Sequence, residues 1–135
     1  MVLWLSGDLS RAAVGQFARK GPQMATLTDE AMLELVANTK DYSMMILRSG
    51  PKRNQPNVER IIWEHGRRNL ELRAEGKIAI VCPVTDGSDV CGLCIFDTEP
   101  AEAERIMNGD PGVQARVFLF EVHTCRGFPG DSLPA

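Results

Sequence analysis

Residues 42 to 48, YSMMILR, carry large apolar side chains at both alternating parities, interrupted only by Ser43 and the closing Arg48. A strand with one face in water alternates apolar and polar residues, because successive side chains project to opposite sides. A run that is apolar on both sides must be covered above and below, so this stretch predicts the central strand of a sheet. The rest of the chain has to supply both covers.

One cover is legible in Val58 to Gly76, VERIIWEHGRRNLELRAEG. At roughly 100° per residue, Val58, Ile61, Ile62, His65, Asn69 and Leu72 fall within an arc about 100° wide, the stripe of an amphipathic helix. His65 and Asn69 therefore point toward the core. Arg60, Glu64, Arg67, Arg68 and Glu71 occupy the opposite side, with Glu64 and Arg68 in the favourable i,i+4 order. Pro56 and Asn57 are read as the start of this helix and Gly76 as its stop. Trp63 and Leu70 make a second apolar strip about 120° away, which predicts packing against an N-terminal helix or a partner subunit.

The remaining elements follow from turn and cap signals. Thr28 reads as an N-cap for a helix from Asp29 to about Asn38, with Leu27 placed to staple onto Met32. The loop SGPKRNQPN joins the first strand to the long helix. Lys77 to Val84 reads as a second strand with Ile78, Ile80 and Cys82 on one face, and the turn formers 85–89 separate it from a third, Val90 to Phe96. Thr98 is the expected N-cap of a helix over Pro100 to Asn108, which Gly109-Asp110-Pro111-Gly112 should end. Val117 to His123 is the expected fourth strand, and the tail CRGFPGDSLPA is too rich in Gly and Pro to continue it.

Strand, helix, strand, strand, helix, strand is the order of a ferredoxin-like α+β sandwich, βαββαβ, with an antiparallel sheet in the order 4-1-3-2 and both helices on one face. Because that arrangement leaves one apolar sheet face open, a homodimer is expected to cover it. The domain reading is an N-terminal arm and helix over 1–39, the ferredoxin-like domain over 40–125 and a tail over 126–135. The arm, to about Pro22, contains a weakly amphipathic segment from Leu9 to Ala18, and Arg11, Arg19 and Lys20 with few acids faintly resemble a transit peptide. An upstream extension with Met24 as the natural start is equally consistent.

A chain of 135 residues with 44% hydrophobic content is enough for one domain with a proper core. A net charge of −3, with basic residues scattered among acids, offers no basic face to nucleic acid. No apolar run approaches the roughly 18 residues of a membrane span, so no membrane partner is expected and the cytoplasm is the expected location. Cys82, Cys91, Cys94 and Cys125 are expected to be reduced thiols, since a chain of this size folds without disulfides. Cys91-Gly92-Leu93-Cys94 has CxxC spacing but sits in the β-rich run VCGLCIF, where positions i and i+3 face opposite ways. Cys91, Cys94, His123 and Cys125 would ligate zinc only if that strand broke, and in the order 4-1-3-2 the third and fourth strands are not neighbours. Neither a metal nor a cofactor is expected.

Three pieces together resemble the YCII-related family: His65 in WEHGRRNLELRAEGK, Gly92 in the third strand, and Asp110-Pro111 in MNGDPGVQARVFLFEVH. The resemblance spans roughly Tyr42 to His123. It implies a dimeric α+β barrel, two sheets packed face to face, with the His and Asp forming an active-site dyad. One member of that family is a dehydrochlorinase acting on chlorinated hydroquinones, and most have no assigned reaction. The long arm and the cysteine-bearing tail depart from the family pattern.

The dyad also makes chemical sense alone. A histidine, with an unperturbed pKa near 6.5, exchanges protons around neutrality once a carboxylate accepting from one ring nitrogen fixes its tautomer. Asp110 is the candidate partner, its backbone held extended by Pro111. No Ser or Cys stands in a nucleophile motif, so proton transfer is expected rather than acyl transfer. Asn69, Arg68 and Arg48 are candidate substrate-binding residues, and Glu121 with His123 forms either a second acid/base pair or an exposed edge pairing. The expected function is a lyase or isomerase acting on a small organic molecule, cyclic ones included. The alternative is a non-catalytic small-ligand-binding or regulatory dimer, and a plain core histidine is the simplest competing role for His65.

Overall fold

In the computed structural model, which describes residues 26–135, the two-sided run lies in β1 (Lys40–Ser49), between β3 (Val90–Phe96) and β4 (Phe118–Gly127). With β2 (Ile78–Pro83) the strands form an open antiparallel sheet in the order β2-β3-β1-β4, the expected order read from the other edge. Among the described residues there are four helices: α1 (Asp29–Ala37), α2 (Val58–Ala74), α3 (Pro100–Asn108) and the one-turn α4 (Pro111–Gln114). The fold class is α+β, compatible with a ferredoxin-like sandwich. The chain divides after Asn38. Taken by itself, α1 has the expected cap, the Ala31 N–H donating to Thr28 Oγ1 at 3.2 Å. The arm before Thr26, its amphipathic segment and Met24 lie outside the described residues.

The two faces of β1 meet different surroundings. Met45 and Leu47 are buried beneath the helices, in a core that includes Phe96, Ala103, Ile106, Met107 and Leu72. Burying each of the larger of these side chains contributes about 1.5–3 kcal/mol. Ser43 shares their face, and its hydroxyl donates to the Thr98 carbonyl at 2.8 Å, which explains how a polar residue fits the run. On the other face, Tyr42, Met44 and Ile46 with Leu93 and Ile95 are only half-buried.

Several local expectations give way to tertiary geometry. Asn57 adopts a left-handed backbone (φ 64°) and makes no side-chain cap, so it starts α2 by turning the chain. A register shift between Ile78 and Ile80 sets Ile78 opposite the buried Phe96 and Ile80 opposite Ile95, so the expected common face of Ile78, Ile80 and Cys82 is broken. Thr98 is not the cap of α3: Glu99 holds that position, with Pro100 opening the helix. Gly109 ends α3 as expected, but Pro111 starts α4 at once. Cys125, Arg126 and Gly127 continue β4 across the expected domain boundary, because β1 begins at Lys40 and offers them ladder partners. Glu64 pairs with Arg67 (3.1 Å) and Arg60 (3.9 Å) and not with Arg68.

Two loops are pinned where they cross. Gly50 N–H donates to the Val117 carbonyl at 2.8 Å, and a Cβ on Gly50 would collide with the Arg116 carbonyl. This ties the exit of β1 to the turn that launches β4.

Cys94, on the helix side of β3, has its thiol pushed up to about 12 by burial, with Cys82 as a smaller contributor. The neutral thiol stabilises the fold fully below its ordinary value of 9.0, and that contribution is lost as pH rises toward the folded value. Native protein should therefore resist alkylation at Cys94 near neutral pH, and Cys94→Ala should flatten the alkaline loss of stability seen in pH-dependent melts.

Candidate active site

His65 and Asn69 stand one turn apart on α2 and are 8% and 5% exposed, so the apolar stripe carries both inward as expected. Asp110 comes from the junction of α3 and α4 and has no exposure at all. It is the N-cap of α4, extended at φ −72° and ψ 134°, with Oδ2 accepting from Gly112 N–H at 2.9 Å and Val113 N–H at 3.2 Å. Pro111 enforces this geometry, since it disfavours helical backbone at Asp110 while its own φ suits the first helical position. Gly112 leaves the necessary room: a Cβ there would stand 2.6 Å from Phe118 Cδ2 and 3.0 Å from Asp110 Oδ2.

The carboxylate faces the imidazole. His65 Nδ1 is 2.9 Å from both Asp110 oxygens, and the ring packs 4.8 Å from Phe118 at a tilt of 49°. An ionised carboxylate only accepts, so Nδ1 donates to it, and in the neutral ring Nε2 then keeps its lone pair. Asn69 Nδ2 lies 3.1 Å from Nε2 and donates to it, which is the hydrogen bond a neutral ring in this tautomer requires. Asn69 Oδ1 is then buried with no hydrogen-bond partner. Arg68 Nη1 is also buried without one, 4.0 Å from Asp110 Oδ1, close enough to offset the buried charge without a direct bond.

His65 and Asn69 form part of the wall of a cavity of about 600 Å³ between α2 and the β2–β3 hairpin. That volume is within the ordinary range for small-molecule sites. Met45, Leu47, Ile62 and Phe118 supply apolar surface, whereas Asp110 is not part of the lining and stands behind the imidazole. The order is carboxylate, ring, cavity.

The structure thus brings together His65, Asp110 and Asn69, with Arg68 beside them. Arg48 is elsewhere: its Nε donates to Glu121 at 2.8 Å, its ladder partners are Val90 and Leu119, and it does not line the cavity. Glu121 and His123 do pair, at 2.7 Å, half-exposed on the edge strand. The hydrogen bond from His123, followed by that from Arg48, holds the Glu121 carboxyl below its usual range. Among the described residues no three His, Cys, Asp or Glu side chains gather as a metal site.

Arg53 was not singled out in the sequence, yet it lines the cavity with its guanidinium 5.7 Å from the Phe118 ring centre. It sits in SGPKRNQPN, where nothing in the local pattern distinguishes it from a solvated loop residue. The capping role of Asp110 did have a signal, the sequence Asp-Pro-Gly, in which an N-cap residue precedes a proline.

Nitrogen NMR of the imidazole should report the Nδ1–H tautomer in the native protein. Gly112→Ala should disturb it by forcing Asp110 and Phe118 apart, at a stability cost of about 1–3 kcal/mol in thermal or denaturant melts. An Nε2–H ring in the wild type would contradict the arrangement.

No protein-family model matches the chain and no curated protein is detectably similar to it, so the reading of this site rests on its own residues and geometry.

Proposed function

We propose that the chain is a small-molecule enzyme in which His65, oriented by Asp110, transfers a proton to or from a ligand in the cavity. The observation that carries this reading is the order just described, with a buried carboxylate fixing one ring nitrogen and the ring itself lining the cavity. Acting as a base, Nε2 takes a proton from a substrate carbon once Asn69 releases it. The electron pair left behind either expels a leaving group, giving an elimination, or shifts along the substrate so that the proton returns at another atom, giving an isomerisation. Asp110 stays ionised throughout and stabilises the imidazolium. His65, Gly92 and Asp110-Pro111 support placing the chain with the YCII-related proteins.

A second copy is proposed to cover the open sheet face, giving a dimeric α+β barrel. Its support is the half-buried row of Met44, Ile46, Leu93 and Ile95, an apolar surface that water meets at a cost. No helix among the described residues is long and apolar enough to cross a membrane, and the proposed location is the cytoplasm. One observation favours the non-catalytic reading, a ligand-binding or regulatory dimer: Asn69 already occupies the lone pair that a base would use.

Wash-in of solvent deuterium at acidic carbons of small cyclic ligands, followed by NMR, separates the two readings. His65→Ala should lower exchange by about 10²- to 10⁴-fold with the fold intact. Asp110→Asn should cost less, and the double variant little more than His65→Ala, because the two residues act as one unit. Equal exchange in wild type and His65→Ala would leave ligand binding as the better account. For assembly, light scattering at micromolar concentration should give a dimer that Ile46→Asp dissociates, and a monomeric wild type would sink the barrel.

A further inference from the structure

We propose that the cavity selects a small organic anion: an apolar body whose negative group is held by Arg53 and whose hydrogen-bond donor is received by Asn69 Oδ1. This deepens the reading of the cavity as a ligand site and rests on it. The first observation is charge. Around a largely apolar cavity, Arg53 is the one permanent cation in the wall, and no Asp or Glu lines it. Arg48, Arg60, Arg67, Arg105 and Arg126 each have a carboxylate within 4.0 Å, whereas Arg53, like Arg73 and Arg116 outside the cavity wall, takes part in none of the ion pairs among the described residues. Its guanidinium is held against Phe118, the same ring that packs on His65, so the cation and the imidazole flank one aromatic side chain. Apolar walls weaken solvent screening, and a guanidinium there is matched in geometry by a carboxylate.

The second observation is independent of charge. Asn69 is 5% exposed, it lines the cavity, and its Oδ1 is buried without a partner, a state that costs the desolvation of a carbonyl oxygen. Oδ1 itself has no surface open to a water-sized group, so a ligand hydroxyl or N–H from the cavity would satisfy it once the amide turns toward the ligand. Because Asn69 Nδ2 is 3.1 Å from His65 Nε2, that donor would lie next to the nitrogen proposed to move protons. The ligand class is therefore a monocyclic acid with a hydroxyl away from its carboxylate. A neutral hydrocarbon leaves both polar groups unanswered, and an organic cation meets Arg53 with like charge.

The test is calorimetric titration of the full chain with three probes: 4-hydroxybenzoate, benzoate and phenol. We expect saturable binding of 4-hydroxybenzoate, with benzoate and phenol each weaker by about tenfold or more. Arg53→Gln should weaken both carboxylates by about ten- to a hundredfold and leave phenol unchanged. Asn69→Leu should bring the ratio of 4-hydroxybenzoate to benzoate affinity near unity, whereas a merely structural effect would weaken both alike. If Asn69→Leu does not fold, the wild-type ratios and the partly exposed Arg53 still decide. Equal affinity for phenol and 4-hydroxybenzoate, uniform weakening by Arg53→Gln, or no saturable binding of 4-hydroxybenzoate at millimolar concentration overturns the proposal. Anion-selective binding without deuterium wash-in supports it while removing the catalytic reading. Turnover of neutral ligands untouched by Arg53→Gln overturns it and leaves proton transfer standing.

Discussion

Asp110 is a carboxylate with no contact with solvent, and the local architecture is arranged to make that tolerable. Withdrawing such a charge from water costs several kcal/mol unless donors replace the lost hydration. Here the replacements come from three sources: the first amides of α4, the His65 ring and, at longer range, Arg68. The amides belong to α4, while His65 and Arg68 both stand on α2, so the charge can be accommodated only when α2 and α4 are both in place. Phe118 begins β4 and packs on both the imidazole and the space beside Gly112, which makes the strand part of the same constraint. Removing one partner would strand the charge, and so the cluster acts as a lock between the helices and the sheet.

That lock explains why the cavity stays open. A helix lying on a sheet normally closes the gap between them with large side chains, yet α2 presents a histidine and an asparagine at the point where it faces β3. Neither can collapse into the hydrophobic core, because the histidine is held back by Asp110 and the asparagine by the histidine. Gly92, with Val81, Pro83, Val84 and Val90 of the β2–β3 hairpin, forms the far wall. The volume is thus a consequence of polar groups fixed in an apolar layer, the pattern in which binding sites depart from ordinary packing.

Patterns that depend on one element at a time were legible in the sequence. The face of α2, both limits of β3, the cap of α1 and the parity of β1 each follow from spacing within a few residues. The pairing of His65 with Asp110, whose members lie 45 positions apart, was expected from the resemblance to the YCII-related family and not from spacing within either segment. Features set by a partner strand were not legible. The bulge at Ile78 exists because of Phe96, and β4 runs through Gly127 because Lys40 and Asp41 offer it a ladder, against the local preference of glycine. Arg48 illustrates the same limit. Its charge made it a candidate for the cavity, but strand parity and Glu121 commit it to the sheet's other face. Arg53 was hidden for the opposite reason, since a loop residue has no periodicity from which a direction can be read.

The hydrogen bonds around His65 also constrain how the ring can change its charge. Asn69 Nδ2 donates to Nε2 only while that nitrogen is unprotonated, and a proton arriving there turns an attraction into a clash of donors. The imidazolium is stabilised by Asp110 on one side, so the adjustment must come from Asn69 on the other. Rotating the amide end for end replaces Nδ2 with Oδ1, which would then accept from Nε2–H. The oxygen that is without a partner in the neutral state is thus the acceptor needed by the charged state. A ligand donor engaged by Oδ1, as proposed above, would oppose that rotation. On the proposed ligand contact, protonation of the ring and occupancy of the cavity would be coupled through a single buried amide, whose two ends face the two charge states of the same histidine.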